Sequence, residues 1–497
     1  MVVGTSSHAG KSTLVAAFCR LFARAGYRVA PFKAQNMSNN AAVTEDGGEV
    51  GRAQAMQAMA AGIPVTVDMN PVLLKPQSDR TSQVVVLGKA RYQHDARQYY
   101  DRVAELWPVV TGALDRLRAT HDIVVAEGAG SPAEINLARY DIVNMRVARH
   151  ANAPTLLVGD IDRGGVFASL YGTVSLLGDE ERALIRGFLI NKFRGDPSLL
   201  DRGFLMLEER TGIPTLGVLP YLDLSSVPAE DALEWGERRI RRDEKTVIDV
   251  AVLRLPRVAN LDEFQPLIAE PDVNVRWIAS PSELGEPDLI IVPGTKSTMA
   301  DLAWLRERGL DRAIQAHRKA GAAVLGICGG FQMLGIDVVD EHGVEGSGRA
   351  AGLGLLPLHT VFGAEKLTRR VVAAVASESA LWSATDAPGA FDGYEIHMGQ
   401  TVGSTDAPSF TIDGRADGCV SADGLVVGTY MHGLLENTLL RRAMLARLAA
   451  RKGKRLADSA PPMNADQALD ALADAVRDAV DLDAIGTMVG LSLARSR

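Results

Sequence analysis

At 497 residues the chain is too long for one hydrophobic core, and its length argues for roughly two to four domains. Hydrophobic residues make up 47% and charged residues 23%, the balance of an ordinary globular enzyme. A net charge of −8 with no basic stripe argues against nucleic acid as a partner, and cysteines at 19, 328 and 419 give neither a disulfide framework nor paired metal spacing. No apolar run reaches the roughly 20 residues that span a bilayer, and no basic, apolar and cleavage regions open the chain. A cytoplasmic protein without membrane contact is expected.

The chain opens MVVGTSSHAGKSTLVAAF. A short apolar strand runs into a loop ending Gly10-Lys11-Ser12-Thr13, and a helix follows. Only Met1, Val2 and Val3 precede the first glycine, so the strand's start is expected to lie upstream. Glycine lets backbone amides close on phosphate oxygens, the helix N-terminus adds partial positive charge, and Lys11 would neutralise a transferred phosphoryl group. The Ser12 or Thr13 hydroxyl can reach Mg²⁺, with Ser12 at the usual position. Gly4 precedes Gly10 by six positions, one more than in the common phosphate loop. That spacing resembles the lengthened loop of dethiobiotin synthetase and its relatives.

Short β-branched runs then alternate with helical stretches. Residues 29–32, 123–126, 155–158, 187–190 and 217–220 read as buried parallel strands, and helices are expected after Gly10, Arg52, Asp95 and Pro197. The pattern predicts a doubly wound α/β domain over residues 1–236. Acids at the C-terminal ends of its strands, Glu127 and Asp160, are placed to hold Mg²⁺ near the phosphates. Asn191 follows the next strand, where a base-reading side chain would sit.

From Glu234 to Lys245 the chain is a charged run, and a linker is expected over 237–247. A second α/β pattern follows at 248–252, 275–278, 289–292 and 323–327, then a strand-rich stretch over about 353–427. This second domain is placed at 248–447. Apolar positions at helical spacing over 465–483 predict peripheral helices in a tail, 448–497. The segment Gly326-Ile327-Cys328-Gly329-Gly330 has the form G-x-C-x-G between an apolar strand and a helix, the frame of a strained nucleophile elbow. The helix N-terminus after Cys328 favours the thiolate. The amides of Gly329 and of Gly294, which ends an upstream strand, are candidate oxyanion donors. His432 follows a further strand and is the candidate base.

This arrangement resembles class I glutamine amidotransferases. Those usually carry His-Pro-Glu, whereas here the histidine is followed by Gly433-Leu434, so no acid is assigned to orient it. Over about residues 1–445 the chain resembles the cobyric acid synthase family of cobalamin biosynthesis. The resemblance rests on the lengthened loop, on Phe32-Lys33-Ala34-Gln35-Asn36-Met37-Ser38-Asn39-Asn40 and on Glu127-Gly128-Ala129-Gly130-Ser131-Pro132. It continues through Asp160-Ile161-Asp162-Arg163-Gly164-Gly165, Asn191-Lys192-Phe193, the cysteine elbow and Gly393-Tyr394-Glu395-Ile396-His397.

The resemblance implies a C-terminal class I glutamine amidotransferase-like α/β domain beside the phosphate-loop domain. It also implies ATP- and glutamine-dependent amidation of a corrin's carboxylates at b, d, e and g. ATP, Mg²⁺ and glutamine are the expected co-reactants, with no redox cofactor. Lys33, Gln35, Asn36, Ser38, Asn39 and Asn40 are candidate contacts to a carboxylate-rich corrin edge, although such a run also suits a solvated turn. Glu395 and His397 share a strand face without an assigned role. Cobyrinic acid a,c-diamide synthase and the amidotransferase of peptidoglycan lipid precursors share the architecture, but the Lys33 to Asn40 segment argues against both. A MinD-like ATPase would leave Cys328 unexplained, and a lone glutaminase would leave Lys11 unexplained. Oligomeric state is not readable from the sequence.

Overall fold

The computed structural model describes residues 1–77, 80–95, 99, 101–222, 227, 246–345, 348–403, 407–457 and 462–491. Most of the expected linker, residues 237–245, lies outside this set.

In the first half, parallel strands Val2–Gly4, Thr155–Asp160, Ile185–Phe193 and Thr215–Pro220 pair in that order. A second parallel pair, Val29–Phe32 with Ile123–Ala126, is tied to this sheet by one bridge from Val2 to Glu127. The short opening strand is therefore central, with neighbours on both sides. Its neighbours are β-branched and apolar because both sheet faces are covered. Helix Lys11–Arg24 starts directly from the loop and buries Leu14, Val15, Phe18 and Phe22.

An antiparallel insertion interrupts this alternation. Strands Gln35–Met37, Val72–Pro76, Thr81–Val86 and Lys89–Asp95 form a separate sheet, with the first pair parallel. A hairpin of Ala41–Val43 and Glu49–Gly51 lies beside it. The alternation read from the sequence contains no counterpart of this sheet.

The second half has a six-stranded sheet ordered Val273–Ile278, Ile248–Leu253, Leu289–Val292, Ala323–Ile327, Val426–Thr429 and Cys419–Val420. Its pairs are parallel except the last. Strand Ala323–Ile327 lies between Leu289–Val292 and Val426–Thr429, so their C-terminal loops meet at one edge. A mainly antiparallel sheet built on the long strands Leu358–Val375 and Phe391–Gly403 packs beside it.

Helix Ala465–Ala479 returns to the first half. Arg20 and Arg24 reach Asp470 and Asp474 at 3.1 and 2.8 Å, and Gly217 bridges Val480. Leu469, Leu472 and Val476 enter the same core as Leu14 and Phe18. Apolar burial holds this contact, because the exposed ion pairs contribute little. No helix among the described residues is long and apolar enough to cross a membrane. Leu469 is fully buried, so Leu469→Ala should cost about 2–5 kcal/mol in denaturant unfolding. An unchanged midpoint would show that the tail does not belong to that core.

Candidate functional site

The phosphate loop is held open by its own glycine. Gly10 has φ 93°, and a Cβ there would stand 2.0 Å from Asn191 Nδ2. Asn191 donates to the Ala9 carbonyl at 2.9 Å and accepts from the Lys192 amide. Asn191 thus braces the loop from the neighbouring strand. Lys11 Nζ donates to the carbonyls of Ser6, at 2.8 Å, and Gly130, at 3.2 Å. Those carbonyls hold the ammonium over the loop, where a phosphate would take it.

Glu127 collects the neighbouring polar groups. Its Oε1 accepts from Ser12 Oγ at 2.7 Å and from Lys33 Nζ at 2.8 Å, and its Oε2 accepts from Gln57 Nε2 at 2.6 Å. The carboxylate is almost fully buried, so these donors offset its lost hydration. Lys33 therefore sits in an ion pair with the acid at the loop.

Ser12 and Glu127 give a hydroxyl and a carboxylate side by side, a hard oxygen pair that fits Mg²⁺. Asp160, expected beside them, is engaged by Lys192 at 3.2 Å and Arg163 at 3.8 Å. Among the described residues no group of three or more His, Cys, Asp or Glu side chains could hold a metal. Mg²⁺ needs no such cage, because it keeps waters and takes phosphate oxygens.

Gly10, Lys11, Ser12, Thr13, Lys33, Gln35, Asn36 and Asn191 all line one cavity of about 810 Å³. Gln35 accepts from the Tyr99 hydroxyl, and Asn36 Nδ2 donates to Gln54 at 3.2 Å. The rest of the polar run turns away. Ser38 Oγ accepts from the Asn40 amide, Asn39 Oδ1 is buried, and Asn40 Oδ1 accepts from the Leu261 amide at 3.1 Å. The run expected to face one ligand is divided between this cavity and the second half of the chain.

Cys328 has φ 52° and ψ −109°, a conformation that strains any side-chain-bearing residue. The elbow needs its glycines for close approach. A Cβ on Gly330 would stand 1.9 Å from the Val292 carbonyl oxygen, and one on Gly329 2.8 Å from Thr295 Cγ2. Gly294 lies against both reacting groups, its virtual Cβ 3.1 Å from His432 Cε1 and 3.8 Å from Cys328 Cβ. The Cys328 thiol reaches the Ile396 carbonyl at 3.4 Å, and Tyr394 stacks on His432 with ring centroids 5.2 Å apart. Strand 394–397 thus covers the cysteine centre. His397 lines it, while Glu395 pairs with Arg369 at 2.5 Å.

The missing acid is Glu263. Both its carboxylate oxygens lie 3.4 Å from His432 Nδ1, and Oε2 also accepts from the Gly433 amide at 3.4 Å. Burial disfavours a charged imidazole, but Glu263 and a hydrogen bond with Cys328 outweigh it and push the His432 pKa up to about 10. Glu263 thus favours the charged form of His432 beside the sulfur. Glu263 is far from His432 in sequence. It lies well beyond the C-terminal end of strand Ile248–Leu253, inside the turn Leu261–Phe264, so no strand-end position marks it in the sequence.

Glu263 sits in the turn Leu261–Phe264, which starts from Asn260 at φ 53°. The first half grips this turn. The Ala41 amide donates to Asn260 Oδ1 at 3.0 Å, Asn40 accepts from Leu261, and Arg52 reaches Asp262 at 2.5 Å. Asn260 Nδ2 lies 3.4 Å from His432 Nδ1. Ala41, Val43, Leu73 and Val85 pack on Tyr394 and Ile396 in one apolar cluster that joins the two halves.

The CobQ/CobB/MinD/ParA nucleotide binding domain family matches residues 1–233, and the CobB/CobQ-like glutamine amidotransferase domain family matches 249–439. A protein of Sorangium cellulosum named cobyric acid synthase is 51% identical, covering 99% of this chain and 98% of the relative. One of the same name from Chloroflexus aurantiacus is 52% identical over 90% and 91%. A third, from Synechococcus elongatus, is 50% identical over 98% and 99%.

Glu263→Gln should lower glutamine-driven turnover by about 10²-fold or more, because an uncharged amide no longer holds the imidazolium. The linked stability has a definite sign. A His432 pKa raised above its ordinary value of about 6.5 stabilises the fold fully below that pH. The contribution fades as pH climbs through about 10. The stability gap between wild type and Glu263→Gln should therefore shrink across that window in denaturant titrations, and a gap independent of pH would count against the ion pair.

Proposed function

Because the chain belongs to the cobyric acid synthase family, a group of glutamine-dependent ligases, we propose that it converts adenosylcobyrinic acid a,c-diamide to adenosylcobyric acid. The carboxylates at b, d, e and g would each become a carboxamide at the cost of ATP and glutamine. The observation that carries the reading is the joining of two centres by one strand. In strand Val72–Pro76, Leu74 and Pro76 line the phosphate-loop cavity, while Lys75 lines the cysteine pocket.

The cysteine centre would release ammonia. The Cys328 sulfur attacks the γ-carboxamide carbon of glutamine, and the oxygen takes up charge between the amides of Gly329 and Gly294. The His432 imidazolium gives its proton to the departing nitrogen, and ammonia leaves. Water, deprotonated by the now neutral His432, then cleaves the γ-glutamyl thioester to glutamate and restores the thiol. Glu263 orients the ring throughout.

The phosphate-loop centre would activate the carboxylate, a poor electrophile because amide formation would expel oxide. Attack of a corrin carboxylate oxygen on the γ-phosphorus of ATP gives an acyl phosphate and ADP. Ammonia attacks the acyl carbon, phosphate leaves, and the amide forms. Lys11 and the loop amides neutralise charge on the transferring group. Ser12 and Glu127 would hold Mg²⁺, which would supply positive charge against the phosphates. Gln35 and Asn36 face the same cavity and would meet the corrin's polar edge. Ammonia must arrive unprotonated, since ammonium has no lone pair to attack with, and a shielded neighbouring source serves that need.

With the corrin diamide, Mg-ATP and glutamine, product mass should fall in equal small steps as ADP and glutamate accumulate together. Cys328→Ser should abolish glutamine use yet keep amidation from added ammonia. Lys11→Ala should lose amidation from either nitrogen source. A folded Cys328→Ser protein inactive with ammonia would overturn the two-centre reading.

A further inference from the structure

The cysteine pocket, a cavity of about 50 Å³, carries more positive charge than its catalytic groups require. Lys75, Lys296 and Lys366 line it together with Glu345. Lys75 and Lys366 converge from opposite halves of the chain on a single buried carboxylate, Glu49, with the Lys75 contact at 2.5 Å. Lys296 feels the charges of Glu345 and Glu49 without joining the Lys75–Glu49–Lys366 ion pairs. Glu345 is fixed by one oxygen, which accepts from the Thr298 amide at 2.6 Å. Three basic side chains stand against two carboxyl groups, Glu49 and Glu345, around a narrow space. Burial lowers the pKa of Lys296 and takes that of Lys366 down to about 7, the latter despite Glu49. Such crowding is costly unless an anion enters.

We infer that Lys75, Lys296 and Lys366 read the α-carboxylate of glutamine while Glu345 takes its α-ammonium group. The inference rests on glutamine being the substrate of Cys328. A glutamine whose carboxamide carbon meets the sulfur carries one negative and one positive group at its other end. The pocket offers the complementary pair, three cationic side chains and one carboxylate. Since Lys75 and its partner Glu49 belong to the first half, the glutamine site is incomplete in the second half alone. The nitrogen donor would be recognised by both halves at once.

The test compares glutamine with 4-aminobutanamide, which has the same carboxamide and amine but no α-carboxylate. Ammonia release from each is followed for wild type, Lys296→Met, Lys75→Met and Lys75→Arg. Wild type should favour glutamine strongly. Each methionine variant should raise the KM for glutamine by about tenfold or more while barely changing turnover of the analogue, so the preference collapses. Lys75→Arg should recover part of it. A merely structural role would depress both amides equally, and that result overturns the inference, as does a preference kept by both methionine variants. Lys296→Met keeps the test informative if Lys75→Met fails to fold, because Lys296 is not held in the Lys75–Glu49–Lys366 ion-pair cluster. If wild type releases no ammonia from glutamine, the proposed function itself falls. If it does and the preference survives substitution, only the subsite falls.

Discussion

The cysteine centre depends on a buried carboxylate, Glu263, set against a buried imidazole, His432. Glu263 is fully buried, and an isolated carboxylate there would cost several kcal/mol. His432, equally buried, is the cation within reach. The pairing favours the charged form of the imidazole beside the sulfur. The turn that presents Glu263 is not self-sufficient. Asn260 opens it in the left-handed region, which asparagine tolerates better than most residues. Both flanking hydrogen bonds come from Asn40 and Ala41, in the other half of the chain. The turn beside His432 and Cys328 is thereby held by contacts from the first half.

The same economy of contact shapes the boundary between the two cavities. Side chains alternate across a strand, so one strand can serve two compartments. Val72–Pro76 does this with Leu74 and Pro76 on one side and Lys75 on the other. Tyr394 and Ile396 play a matching part in the facing strand. They pack on Ala41, Val43, Leu73 and Val85 while touching His432 and the Cys328 thiol. The antiparallel insertion thus supplies the wall between the centres.

The parts legible in the sequence were those whose chemistry is local. The phosphate loop and the cysteine elbow each compress strand, glycine turn and helix into a dozen residues, and both fold as their spacing implies. The parallel strands were legible because burial on both faces leaves apolar runs. What stayed hidden was set by distant partners. Glu263 meets His432 only after the sheet has brought Ile248–Leu253 and Val426–Thr429 into one layer. The short strands of the insertion lack the alternation of a helix-and-sheet unit. Lys33 and Asn40 looked like members of one polar run, yet one pairs with Glu127 and the other with Leu261. A helix at 465–479 was readable from its apolar stripe, but not that its stripe fits against Lys11–Arg24.

The placement of charge around the two centres explains why a cationic pocket and a phosphate loop can sit so close. Glu49 is buried between Lys75 and Lys366 and offsets part of their charge. Glu127 does the converse, drawing Lys33 down beside Ser12 and leaving Lys11 as the ammonium poised over the loop. The cysteine pocket sets three lysines beside Glu345, whereas the phosphate-loop cavity mixes Lys11, Lys33 and Lys192 with acids such as Glu127, Glu134 and Asp141. The chain as a whole remains negative. Recognition of small anions by an acidic protein therefore requires burial. Within a low-dielectric pocket a few lysines act strongly, and the same charges on the surface would be screened within a Debye length.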